Sequence, residues 1–132
     1  MAPCLAARIR HIASFTGATF FHHSCGSIYR LIPDLIRADV RILNPTQPRT
    51  KDMEPARLKR EFGDALVFYG GVDTQELLPR GTPQEVYDST RELASVLAPG
   101  GGFILSAAHT LQADVPMENV IAMSRAERSR PP

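Results

Sequence analysis

Four short apolar runs, each followed by a helical pattern, recur along the 132-residue chain. They are "ATFFHH" (18–23), "DVRILNP" (39–45), "ALVFYGG" (65–71) and "GFILSAA" (102–108). Strand-then-helix alternation with short connections predicts a parallel α/β sheet carrying helices on its surface. A hydrophobic content of 43% and a charged content of 22% suit one globular domain with a core of its own. Four such units can form a small open doubly wound sheet or half of an eightfold barrel.

The helical patterns differ in clarity. After the first run, Ile28, Leu31, Ile32, Leu35 and Ile36 share one helical face, opened by Gly26 and Ser27. Pro33 falls inside that stripe, so it must kink the helix or sit near its start. "EPARLKREFG" (54–63) reads as a helix with Pro55 in its first turn and Gly63 as its stop. "TPQEVYDSTRELASVLAPGGG" (82–102) is the best marked. Thr82 can cap it, Pro83 takes the first position and Glu85 closes a capping box. Its apolar face is Val86, Thr90, Leu93 and Leu97, and Pro99 with three glycines ends it. "VPMENVIAMSRAE" (115–127) is a last helix, and the "RSRPP" tail (128–132) is expected to fray.

The first eighteen residues, "MAPCLAARIRHIASFTGA", carry Arg8 and Arg10, and no acid precedes Asp34. A mitochondrial transit peptide has that composition. An amphipathic helix with Leu5, Ile9 and Ile12 on one face is favoured, because the segment runs into the first strand without a linker. His11 then lies on a solvated face. No apolar run is long enough for a membrane span. A formal net charge of +1 argues against a nucleic-acid binder driven by bulk electrostatics. The two cysteines, Cys4 and Cys25, cannot make a disulfide framework, which points to a reducing, cytoplasmic setting.

The chemically capable residues collect at the carboxyl ends of the predicted strands. His23, Ser24 and Cys25 follow the first, and Asn44, Thr46 and Gln47 the second. Gly70, Gly71 and Asp73 follow the third, and His109, Thr110 and Gln112 the fourth. Ligands bind at that end of a parallel sheet, whether it is open or closed. Asn44, Gln47, Gly70 and Gly71 are therefore candidate substrate contacts, and Asp73 and His109 candidate catalytic groups. An imidazole and a thiol two residues apart on an extended segment can face one ion, so His23 and Cys25 are candidate zinc ligands. A catalytic zinc needs a third, and His109 is a better candidate than Cys4 on the first helix. The competing reading makes Cys25 a small buried hydrophobe. His22 alternates with His23 along the strand and faces the other way, which suits a structural or supporting role.

Other motifs fail on context. Gly70-Gly71-Val72-Asp73 lacks the spacing of a phosphate loop, and Gly100 to Gly102 precede a strand rather than open a helix. Ser24 stands in no GxSxG elbow.

Three stretches in order, "HHSCGSIYRLIPDLI" (22–36), "LVFYGGVDTQELLPRGTPQEV" (66–86) and "GGFILSAAHTLQADVPMENVIAM" (101–123), resemble the carboxyl-terminal part of the uroporphyrinogen decarboxylase superfamily. That superfamily includes the decarboxylase and the corrinoid-dependent methyltransferases that pass a methyl group to a thiol. The similarity runs from about Ile9 to Met123. It implies a (β/α)₈ barrel of which residues 1–132 supply the last four units as one partial domain, preceded by one helix. It also implies that the other half of the barrel supplies further catalytic groups.

In the thiol methyltransferases, zinc is held by a His-x-Cys pair and a later Cys. His23 and Cys25 match the pair, and His109 stands at the later position. In the decarboxylases that late position is a His near the porphyrinogen carboxylates, and the His-x-Cys pair is missing. Decarboxylation needs no metal but requires cations around the substrate carboxylates, and Arg30 and Arg41 do not obviously fill that role. The resemblance thus implies methyl transfer from a methylcorrinoid to a thiol with zinc at His23, Cys25 and His109. The alternatives are porphyrinogen decarboxylation without a cofactor, and a non-catalytic remnant or binding subunit. The implied partners are a small-molecule thiol or porphyrinogen and a corrinoid protein. A half barrel also exposes strand edges and apolar faces. The chain is accordingly expected to be a truncated product, to pair with a complementing half, or to self-associate.

Overall fold

The computed structural model describes residues 2–128. The order is α1 (Ala2–Ala13), β1 (Phe20–His23), α2 (Ile32–Arg37), β2 (Val40–Asn44), α3 (Pro55–Phe62), β3 (Val67–Tyr69), α4 (Leu77–Arg80), α5 (Pro83–Leu97), β4 (Phe103–Ile104) and α6 (Met117–Arg128). The four strands form one parallel sheet in the order β1-β2-β3-β4. This is a partial TIM-barrel-like α/β fold, with strands and helices alternating as the sequence predicts. Residues 129–132 of the tail expected to fray lie outside the described residues.

Register decides which face each side chain takes. Phe20 pairs with Val40 but Phe21 pairs with Ile42, so Arg41 is an extra residue on β2. Beyond this bulge, His22, Leu43, Phe68 and Phe103 align on one face. Leu43 and Phe68 are fully buried there, beneath the helices. Phe21, Ile42 and Val67 align on the other face, with Tyr69 and Ile104 paired beyond them. Phe21 is 49% exposed and Ile104 43% exposed, so this inward side of the curved sheet is open.

α5 has the form its sequence predicts. Thr82 Oγ1 accepts from the Glu85 amide at 3.3 Å, and Glu85 Oε2 accepts from the Thr82 amide at 2.7 Å. Val86, Thr90, Leu93 and Leu97 are its buried residues. α6 packs along α5. Asn119 of α6 is buried and donates to the carbonyls of Leu78 (2.9 Å) and Gly81 (2.8 Å), which ties α6 to the turn before α5.

Other elements depart from expectation. The helix expected from Gly26 begins as a 3₁₀ turn, Tyr29–Leu31, and becomes α-helical only at Ile32. Pro33 sits in the first turn of α2, where its missing amide costs no intrahelical bond. The fourth strand is two residues long, extended only by an isolated bridge from Val72 to Ala107. α4 has no apolar period of its own and escaped the sequence reading. Exposed residues 14–19 separate α1 from β1, so the two are not contiguous. On α1, Ile9 is buried, whereas Ile12 is 51% exposed and off the packed face.

Candidate metal centre at the carboxyl ends of the strands

His23 is the last residue of β1, on the open face, and its backbone register pairs it with Asn44 at the end of β2. Ser24 continues the ladder by donating its amide to the Asn44 carbonyl at 2.9 Å. Gly26 then turns the chain with φ of 87°, a conformation that suits glycine. Its amide donates to Gln47 Oε1 at 2.6 Å. Gln47 thus holds the loop after β1 against the loop after β2, and this contact engages its side-chain oxygen.

Cys25 Sγ lies 3.4 Å from His23 Nε2, and the His23 and His109 rings meet edge-on with centroids 5.7 Å apart. One donor atom from each of His23, Cys25 and His109 lies within 4.8 Å of the other two, and all three residues are exposed. Cys25 is therefore not a buried hydrophobe. Among the described residues no other such group of histidine, cysteine and carboxylate ligands occurs. Cys4 is exposed on α1 and outside the group.

The donor set fits zinc on chemical grounds. Two imidazoles and a thiol are borderline-to-soft ligands, and three protein ligands leave the fourth tetrahedral position open. Tetrahedral zinc bonds of about 2.0–2.3 Å set neighbouring donors roughly 3.5 Å apart. The sulfur–nitrogen separation already has that value.

The site opens onto a cavity of about 280 Å³ between the strand ends. Phe21 and Tyr69 form one wall, edge to face at 5.6 Å, and Ser106, Ala108 and Thr110 another. Among the described residues lining it there is no Lys or Arg. The sequence reading missed Phe21 and Tyr69. Their signal was alternation, since Phe21 precedes His23 by two, and Tyr69 pairs with Ile104 on the open face.

The other candidates divide between this cavity and places away from it. Asn44 lines the cavity, and its Oδ1 lies 2.6 Å from His23 Nδ1. Asp73 is engaged at the start of α4, where it accepts from the amides of Gln75 (3.1 Å), Glu76 (3.2 Å) and Leu77 (3.2 Å). Arg49 stands 3.6 Å from the same carboxylate. Asp73 lines a separate apolar groove of about 330 Å³ with Leu77, Leu93 and Val96, away from the three metal candidates. Gly70 and Gly71 both have positive φ, and a side chain at Gly71 would meet Thr46 Oγ1 at 2.6 Å and Leu93 at 2.9 Å. Close packing thus accounts for Gly71. Thr46 is buried and donates to the Gly70 carbonyl at 3.2 Å. Thr110 borders the cavity, and Gln112 donates to the Thr110 carbonyl at 3.3 Å. His22 is half-buried on the helix side, and burial, then the neighbouring His23, holds it below its ordinary pKa of 6.5.

Comparison with known proteins gives this geometry a family. A curated relative, the methylated-thiol--coenzyme M methyltransferase of Methanosarcina mazei, is 29% identical over 110 residues. That match covers 83% of this chain and 27% of the relative. A solved structure, a methyltransferase from Methanosarcina mazei, superposes with a TM-score of 0.75 at 19% identity. It covers 94% of this chain and 35% of that one, a likeness of fold. The chain thus spans about a quarter to a third of the length of these relatives. The family model for uroporphyrinogen decarboxylase (URO-D) matches residues 1–130, nearly the full length, and the chain belongs to that family.

Proposed function

We propose that this chain carries the zinc-binding mouth of a methyltransferase that moves a methyl group from a methylcorrinoid to a thiol. The observation that carries this reading is the convergence of His23, Cys25 and His109, each offering one donor atom within 4.8 Å of the others at an exposed mouth. His23 and Cys25 come from one strand end and are locally fixed. His109 arrives from the loop after β4 and completes the set. Bound zinc supplies Lewis acidity that brings a thiol to its thiolate form near neutral pH. The residues around it do the rest. Phe21 and Tyr69 shield one side of the cavity from water, and Ser106 and Thr110 offer hydroxyls to a polar end of the acceptor. The acceptor is a small thiol of a size suited to about 280 Å³.

The methyl donor is a corrinoid presented by a partner protein. The open face of the sheet is covered by a complementing half-barrel or a second copy. Two exposed free thiols suit a reducing compartment such as the cytoplasm. Porphyrinogen decarboxylation fits less well, because the described cavity lining gives no cation to hold ring carboxylates.

Metal analysis after zinc loading and desalting tests the proposal. Stoichiometric zinc is expected, lost in Cys25→Ser and in His109→Ala. Absence of zinc together with coproporphyrinogen formed from uroporphyrinogen would overturn it in favour of decarboxylation. Neither metal nor turnover would leave a non-catalytic remnant.

A further inference from the structure

Asn44 is held at both ends of its amide. Nδ2 donates to the Tyr69 carbonyl on β3 at 3.1 Å, and Oδ1 lies 2.6 Å from His23 Nδ1 on β1. These contacts are not interchangeable. A flipped amide would set its oxygen against the Tyr69 carbonyl, acceptor facing acceptor. The β3 backbone therefore selects the amide orientation, and toward His23 the amide can only accept. A neutral imidazole has one N–H and one lone pair. With the N–H drawn to Nδ1, the lone pair is left on Nε2. Nε2 is the atom 3.4 Å from Cys25 Sγ.

From this chain of contacts we infer that Asn44 is a positioning residue. It fixes the Nδ1–H tautomer of His23 and turns the Nε2 lone pair toward Cys25 and His109. The inference rests on the metal reading above for its purpose but not for its geometry. Metal-bound histidines generally donate their second ring N–H to an outer partner, and loss of that partner typically costs about 10–100-fold in affinity. Here the partner is a neutral amide, oriented by a backbone carbonyl two strands from the ligand it serves.

The test uses the 132-residue chain as wild type, Asn44→Leu and Asn44→Asp. Long-range ¹⁵N–¹H spectra of the metal-free protein above neutral pH report the tautomer, with His23 assigned by its loss in His23→Gln. Wild type and Asn44→Asp are expected to carry the proton on Nδ1, and Asn44→Leu to show a mixture. Competition titration with zinc is expected to weaken about 10–100-fold in Asn44→Leu. Asn44→Asp is expected to retain most of the affinity. Asn44→Ala replaces the leucine variant if that one does not fold. A proton on Nε2 in wild type, or an unchanged tautomer in a folded Asn44→Leu, would overturn the assignment. If wild type binds no zinc, the metal reading fails, and the spectra alone decide the role of Asn44.

Discussion

The two faces of the sheet are made from the same strands and are unlike in every other respect. The helix side aligns His22, Leu43, Phe68 and Phe103, with Leu43 and Phe68 fully buried. The other side leaves Phe21 and Ile104 nearly half exposed and ends in His23 and Asn44. Burial is concentrated on the first face, and the cavity beside the candidate metal ligands opens on the second. On the proposed reading, the second face admits ligands and its half-exposed aromatic and aliphatic groups are covered by a complementing half or a second copy.

Truncations on the two faces measure this difference. Phe68→Ala is expected to cost about 3–5 kcal/mol in urea unfolding, because a fully enclosed ring leaves a cavity. The pair Phe21→Ser and Ile104→Ser is expected to cost less than about 1 kcal/mol, since these groups are already hydrated. Its larger effect falls on association. Light scattering should find the wild-type chain self-associated and the open-face pair shifted toward monomer. Equal destabilisation from both faces, or a monodisperse wild-type monomer with cooperative melting, would show that the open side is complete as it stands.

The smallest expected effect sharpens the comparison from the helix layer. Hydrogen bonds from the Thr82 amide and then its hydroxyl hold the Glu85 carboxylate below its ordinary pKa of 4.5. The folded state therefore releases this proton more readily than the unfolded one. The resulting stabilisation is present above pH 4.5 and is lost as pH falls through the depressed value. Denaturation midpoints followed from neutral pH to about pH 3.5 should show a shallower decline in Glu85→Gln than in wild type. An identical decline would mean that the capping box contributes nothing in solution.

How much of this was legible in the sequence depended on whether the information was local. The α5 cap, its stop and its four buried positions follow from spacing within one turn or a few. The parallel sheet and the clustering of His23, Cys25 and His109 followed from the alternation of elements, since parallel strands gather their carboxyl ends on one side. The choice of a half barrel over an open doubly wound sheet came from the family resemblance. The late start of α2 and the presence of α4 were not legible. The first depends on how the loop after β1 is tied to Gln47, and the second on Asp73 gathering three amides. The hydrogen bonds of Asn44 were not legible for the same reason. Nothing near position 44 shows that its amide bridges His23 and the Tyr69 carbonyl.

The meeting of His23 with His109 has a geometric consequence. β1 and β4 are separated by two strands, so in a flat sheet their axes would lie roughly 14 Å apart. The His23 ring at the end of β1 and the His109 ring in the loop after β4 are 5.7 Å apart, a gap that a bend of the wall and the reach of that loop must close between them. A ligand gripping both rings would act as a calliper on that bend. Its affinity would report how far the wall has curled, and anything that flattened or tightened the arc would be felt at the metal before it was felt in the core.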